Sequence, residues 1–194
     1  MLDKASLRKD FLKKRDRIPT EVRKIKDKMI AVKLASLEEF RNAGVVFYFA
    51  SFRTEVDTLG MIRASILEGK RVLLPKVDKE GHNLRLFEIK STDELTSGYM
   101  GIPEPSVLSE DRIAGINEAD VVIIPGAGFD MSGNRIGYGA GYYDKLLSGL
   151  TKNIVIIAPA YEEQIADSIP SEPHDIKVNI IVTDRRVIRC VTEG

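Results

Sequence analysis

The chain has 194 residues, 43% hydrophobic and 30% charged, with 15 glycines, 8 prolines and one cysteine, which excludes collagen-like, disordered and disulfide-stapled classes and predicts a single domain over 1–194. No apolar run approaches the roughly 18 residues of a membrane span, and two histidines with one cysteine make a Cys/His zinc cage a poor candidate. The net charge is zero but uneven: residues 1–41 carry 13 Lys/Arg against 7 Asp/Glu, and the remainder carries 16 against 22. That basic end is either a solvated helix face or the seat of an anionic ligand.

In chain order, residues 4–17 and 21–40 are predicted as two helices broken at Pro19, with Thr20 as N-cap of the second. Val22, Ile25, Met29 and Val32 recur at helical spacing and predict that helix's buried stripe. The first helix has few large apolar residues (Leu7, Phe11, Leu12), so its inward face is narrow. MLDKASLRKDFLKKRDR lacks the continuous apolar region of a secretory signal, and the lone Cys190 suits a reducing compartment, so a cytoplasmic location is expected.

Val45–Ala50 is a short buried strand. Asp57 or Thr58 caps a helix carrying Leu59, Ile62, Ile66 and Leu67, which stops at Gly69. Arg71–Leu74 is a second strand, ended by Pro75, and Leu84–Ile89 a third. Val121–Ile124 and Asn153–Ala158 follow, and Asn179–Thr183 with Val187–Cys190 close a hairpin around Asp184-Arg185. The pattern predicts an α/β fold of three layers, α/β/α, with a largely parallel central sheet, basic N-terminal helices and a C-terminal β-hairpin. Ligands of such sheets sit beyond the carboxyl ends of the strands, which directs attention past Ala50, Leu74, Ile124 and Ala158.

PGAGFDMSGNRIGYGAGYYDKLL follows the strand at 121–124. Gly137, Gly139 and Gly141 form G-x-G-x-G ahead of a predicted helix Tyr142–Leu147. Glycines at a helix start let successive N–H groups cradle an anion. Arg135 offers a planar fork for phosphate oxygens, and Asp144 stands within reach of a cation bridging them. The loop matches neither a Walker A motif nor the dinucleotide fingerprint. The alternative is a glycine-rich turn serving tight packing.

The segment resembles the signature of the 5-formyltetrahydrofolate cyclo-ligase family, P-G-x-x-F-D-x-x-G-x-R-[LI]-G-x-G-x-G-Y-Y-D, present here from Pro125 to Asp144. Other landmarks of the family stand in order: Lys4, Leu7 and Arg8 near the start; Glu55 after the first strand; Ile102–Pro105; Tyr161-Glu162-Glu163-Gln164, then Pro170 and His174-Asp175. The resemblance implies an ATP-dependent ligase that converts 5-formyltetrahydrofolate to 5,10-methenyltetrahydrofolate, releasing ADP and phosphate with Mg²⁺ present, through a phosphorylated formyl group. It implies small-molecule partners, with no nucleic acid and no membrane; the oligomeric state is left open, with a monomer favoured. On this resemblance Lys4, Arg8, Arg135, Ile136, Gly137, Tyr138, Gly139, Ala140, Gly141, Tyr142 and Tyr143 hold ATP. Arg135 and Tyr142 are the catalytic candidates. Ala50, Glu55, Tyr138, Gly139, Ala140, Gly141 and Tyr142 border the folate, Glu55 as the carboxylate that accepts from the pterin. Asp144 and Asp175 are the implied Mg²⁺ ligands. Phe52 joins the ring pocket, and Met100 and Pro103 border the folate tail. His174 is either a proton carrier or structural, Phe129 is core, and His82 has no functional case. Two departures stand out: Asn179 where members often carry an acid, and Tyr138 where some carry arginine. Competing readings are a family relative acting on another pterin or phosphorylated metabolite, and a nucleic-acid module built on the basic helices. The zero net charge and the absence of aromatics interleaved with the basic stretch count against the latter.

Overall fold

The computed structural model describes residues 3–172 and 175–190. Helix α1, Lys4–Asp16, starts at Asp3, whose carboxylate accepts from the Ser6 amide at 2.7 Å. Helix α2, Thr20–Ser36, follows Pro19, so Thr20 is its first residue rather than its cap. The backbone turns extended at Leu37 and resumes as a short helix α3, Glu38–Asn42, so the predicted helix to residue 40 is two helices. Helix α4, Leu59–Leu67, ends at Gly69 in a Schellman turn, with the Lys70 amide donating to the Ser65 carbonyl. Helix α5 is Tyr142–Leu147, as the sequence predicts.

The stripe expected to be buried on α2 faces solvent: Ile25 is 61% and Val32 66% exposed, and Val22 and Met29 are exposed too. Ile30 and Leu34, roughly 130° around the helix, are buried with Ile18 and Leu37. Polar partners choose this face. Lys26 pairs with Glu163 at 2.6 Å and with Asp184 at 3.1 Å, and Asp27 accepts from the Tyr161 hydroxyl at 2.7 Å. Spacing alone cannot rank two apolar rows when ion pairs pull the helix toward one of them. Ile30→Ala is therefore expected to cost about 2–5 kcal/mol, whereas Val32→Ala stays within about 0.5 kcal/mol; equilibrium urea unfolding of the two variants checks the contrast.

The strands are β1 Val45–Phe47, β2 Arg71–Asp78, β3 Asn83–Ile89, β4 Leu95–Ser97, β5 Pro103–Pro105 and β6 Ile113–Ala114. Then come β7 Val121–Ile123, β8 Gly128–Asp130, β9 Arg135–Ile136, β10 Val155–Ala160, β11 Ile165–Ala166, β12 Ile180–Thr183 and β13 Val187–Arg189. The main sheet runs β13-β12-β10-β7-β1-β2-β3-β6. The pairings from β12 to β2 are parallel, and β13, β3 and β6 add antiparallel edges. β2 does not stop at Pro75 but continues to Asp78 opposite β3. Leu73 turns its carbonyl toward the Tyr48 amide, and Pro75 shares that orientation. Its missing N–H thus falls beyond the end of β1, where no ladder bond is lost.

Side chains alternate between two cores. Val46, Val72, Leu74, Val121 and Ile123 pack with α2 and α4 on one face. Phe47, Leu73, Val122, Ile124 and Ile156 pack with Leu147 of α5 on the other. The sheet is thus covered on both sides, as the uninterrupted apolar strands require. The chain leaves β1 for β2 on one side and returns to β7 on the other. This topological switch opens a crevice past the carboxyl ends of β1 and β7.

A small sheet, β11-β8-β9, carries the glycine-rich loop, and α1 docks on it. Phe11 packs there with Ala127, Ile136 and Ile169. The approach is so close that a Cβ on Gly128 would lie 2.2 Å from the Phe11 ring. That contact is what carries the basic helix to the loop.

Candidate active site

Asp130 anchors the loop. Its carboxylate accepts from the Ser132 and Asn134 amides at 2.9 and 3.0 Å and from the Ile169 amide at 2.8 Å, which explains a buried acid in the F-D pair. Arg135 follows on β9. Its guanidinium is buried, donating from Nη2 to Asp144 Oδ1 at 2.6 Å and from Nη1 to the Pro125 carbonyl at 3.3 Å. Its Nε is buried and finds no hydrogen-bond partner among the described residues. A buried, charged donor without an acceptor is costly, and an oxygen-rich anion would satisfy it.

Helix α1 presents Lys4 and Arg8, one turn apart, to the same region. Arg8 Nε donates to the Gly137 carbonyl at 2.7 Å. A Cβ on Gly139, where φ is +100°, would meet the Arg8 guanidinium at 3.5 Å. Lys4 Nζ bonds Asp175 Oδ2 at 2.6 Å. The structure thus pairs two of the predicted cations with the two predicted metal-binding carboxylates, Lys4 with Asp175 and Arg135 with Asp144.

Glu55 lies past β1 in the switch crevice. Oε2 accepts from the Phe52 amide at 2.8 Å, and Oε1 accepts from the Tyr138 hydroxyl. Burial raises the Glu55 carboxyl above the ordinary carboxylate range; the Tyr138 and Phe52 bonds and the nearby Arg15 charge oppose that shift. Burial also raises the Tyr138 and Tyr143 phenols, and the Glu55 charge adds to it. Glu55, Tyr138, Arg15, Phe49, Pro125 and Gln164 line a cleft of about 10 Å³, room for one water.

The other predicted residues divide by burial. Ile136 is buried beside Phe11, so its backbone alone can face a ligand, and Ala50 is buried past the end of β1. Gly139, Ala140 and Gly141 are exposed along the loop. Tyr143 turns into the core with its ring edge-on to Phe47 at 6.4 Å. Tyr142 lies against His82, ring centroids 4.7 Å apart, and edge-on to Tyr99, so the β2–β3 hairpin borders the loop. Lys145 of α5 reinforces that junction by donating to the Gly81 and His82 carbonyls. Phe52 packs against Gly101, next to Met100, which is exposed with φ +56°. Pro103 and Gly101 line a separate cavity of about 360 Å³ with Arg63 and Thr92. Phe129 is core, as expected. Asn179 accepts from the Ile156 amide at 2.7 Å through its side chain, a structural use for the amide that stands where an acid was expected. His174 lies outside the described residues.

Sequence reasoning passed over Arg15, which is 5% exposed on α1. Its Nη1 donates to the Tyr138 hydroxyl at 2.7 Å and its Nε to Thr54 Oγ1 at 3.1 Å. The signal was present: Lys4, Arg8, Phe11 and Arg15 follow one helical face.

This is a doubly wound α/β protein whose glycine-rich loop, met by Arg8 of α1, lies beside a crevice that holds the Glu55 carboxylate. A model of the 5-formyltetrahydrofolate cyclo-ligase family matches residues 1–184. A 5-formyltetrahydrofolate cyclo-ligase of Mycolicibacterium smegmatis is 30% identical over 190 residues, covering 95% of each chain. That of Mus musculus is 26% identical over 188 residues, covering 92% of each. The solved structure of Aquifex aeolicus 5,10-methenyltetrahydrofolate synthetase superposes with a TM-score of 0.85 at 31% identity, covering 98% of this chain and 94% of that one. The chain belongs to the 5-formyltetrahydrofolate cyclo-ligase family, a family of ATP-dependent ligases in folate one-carbon metabolism. Among the described residues no helix is long and apolar enough to cross a membrane.

Proposed function

We propose that this chain closes the one-carbon ring of 5-formyltetrahydrofolate at the expense of ATP, giving 5,10-methenyltetrahydrofolate, ADP and phosphate. The formyl oxygen attacks the γ-phosphorus, ADP leaves, the neighbouring folate nitrogen attacks the activated carbon, and phosphate departs. Such phosphoryl transfer needs positioning and charge stabilisation rather than a nucleophilic side chain.

The observation that carries this reading is the orphaned Nε of buried Arg135 beside the loop that Arg8 meets, with Lys4 one helical turn from Arg8. A triphosphate supplies the missing acceptor. Lys4, Arg8 and Arg135 hold its oxygens, and the backbone from Gly137 to Tyr143 wraps them. Tyr142 borders the reacting phosphate. Among the described residues no cluster of three or more His, Cys, Asp or Glu could by itself hold a metal. Asp144 and Asp175 nevertheless suit Mg²⁺, which takes few protein carboxylates and fills its shell with phosphate oxygens and water. Bound there, the cation neutralises charge on the phosphates. Lys4, already paired with Asp175, exchanges that partner for phosphate when the nucleotide enters, while Asp144 keeps the Arg135 guanidinium in place. Glu55, at the switch crevice, accepts from the pterin's ring N–H and amino groups.

Purified protein mixed with 5-formyltetrahydrofolate, ATP and Mg²⁺ is expected to develop the methenyl product's absorbance in step with ADP. ADP release without that chromophore, or independent of the folate, would overturn the reading.

A further inference from the structure

Arg15 is a buried cation without a carboxylate. Among the described residues it forms no ion pair, and its Nη2 group makes no hydrogen bond. Its two bonds go to neutral hydroxyls, those of Tyr138 and Thr54. Thr54 in turn donates to Asp16, which holds the threonine oxygen in place as an acceptor. The guanidinium also stands 5.8 Å from the Tyr138 ring centroid and lines the cleft with Glu55. Burying a guanidinium this way is expensive unless something uses it.

The Tyr138 hydroxyl shows what that use requires. One oxygen donates to Glu55 and accepts from Arg15. The cleft therefore presents an acceptor and a donor side by side. The ring edge of a 4-oxo pterin carries the complementary pattern: an oxygen that accepts, then a ring N–H and an amino group that donate. Glu55 alone can read the two donors and leaves the oxygen unread.

We propose that Arg15 is a specificity-determining residue of the reduced-pterin site, donating to the 4-oxo oxygen while Glu55 takes the adjacent N–H and amino groups. The Tyr138 hydroxyl holds the same two side chains in the absence of ligand, and the pterin edge displaces it. This assignment rests on the folate reading above and adds the part of the ring that reading leaves unassigned. A buried donor that loses its acceptor penalises the wrong ligand more than an added contact rewards the right one. Arg15 therefore discriminates against a pterin with an amino group at position 4, which offers a donor where an acceptor is needed.

The test compares binding of tetrahydrofolate and its 2,4-diamino counterpart by calorimetry, in wild type and Arg15→Met, with steady-state KM values for 5-formyltetrahydrofolate and ATP. Wild type is expected to prefer the 4-oxo ligand. Arg15→Met is expected to weaken that ligand by about 10–100-fold, to leave the diamino ligand within threefold (about the size of a surface effect), and to leave the ATP KM alone. Equal weakening of both ligands, or unchanged affinity for both, overturns the proposal. Should Arg15→Met fail to fold, Arg15→Lys carries the same readout: it keeps the charge and loses the fork, so a smaller 4-oxo preference supports the proposal and an unaltered one overturns it. A wild-type protein that binds neither pterin sinks the folate reading itself. One that binds both, with a preference insensitive to Arg15, sinks the assignment of Arg15 alone.

Discussion

Arg135→Ala is expected to lower turnover by about a thousandfold, the range seen when a positioned cation is removed from a phosphoryl-transfer site. Arg135 is held by Asp144 and the Pro125 carbonyl, so its guanidinium is preorganised, and its orphaned Nε leaves donor capacity for a substrate. A lysine in its place restores charge but not the fork, so Arg135→Lys should recover only a small part of the loss. The same contacts make Arg135 structural. Its removal leaves the Pro125 carbonyl unpaired in a buried setting and Asp144 without its partner, so the melting temperature should fall by several degrees as well. Circular dichroism at the assay temperature separates the two effects. Activity within tenfold of wild type in the folded variant would show that the phosphate lies elsewhere.

Glu55→Ala is expected to raise the KM for 5-formyltetrahydrofolate about a hundredfold, while the ATP KM stays within about threefold. The reverse pattern, a raised ATP KM with an unchanged folate KM, would move Glu55 out of the pterin site. Its pH dependence follows from burial. The carboxyl takes up its proton above the usual range, so folate binding, which needs the anion, should fade at a higher pH than an ordinary carboxylate would allow. Stability carries the opposite sign. Because the folded chain holds this proton more tightly than the unfolded chain, Glu55 opposes folding at pH values above its folded pKa, and that penalty shrinks as pH falls through it and is gone below the unfolded pKa. Glu55→Gln is accordingly expected to melt higher than wild type at neutral pH, by a margin that shrinks on acidification, while binding folate poorly. Thermal scans across pH alongside KM measurements test both halves. A binding carboxylate that costs stability is the usual bargain of a ligand site.

Much of the frame was legible because the central strands β1, β7, β10 and β12 are short and almost wholly apolar, a pattern that admits few architectures. The hairpin around Asp184-Arg185 and the helix at Tyr142 carry local signals, turn residues and a glycine start, that need no distant partner to be read. The errors lie where a distant partner decides. Val22, Ile25, Met29 and Val32 have the spacing of a buried row, yet Lys26 and Asp27 rotate α2 to meet Glu163, Asp184 and Tyr161, residues more than 130 positions away. Pro75 is a terminator by propensity, but β1 ends before it, so the strand passes through unharmed.

By itself, the order of residues determined the chain's layered α/β class, its family and the glycine-rich loop proposed to hold phosphate, because strand hydrophobicity and a contiguous motif are one-dimensional properties. The tertiary structure decided which side chains meet. Docking of Phe11 over Gly128 brings a helix from the start of the chain onto that loop. It sets Arg15 against Tyr138 and Glu55, and it pairs Lys4 with Asp175. Such encounters depend on the packing of apolar surfaces far apart in sequence, and charge or spacing along the chain does not encode them in any local pattern.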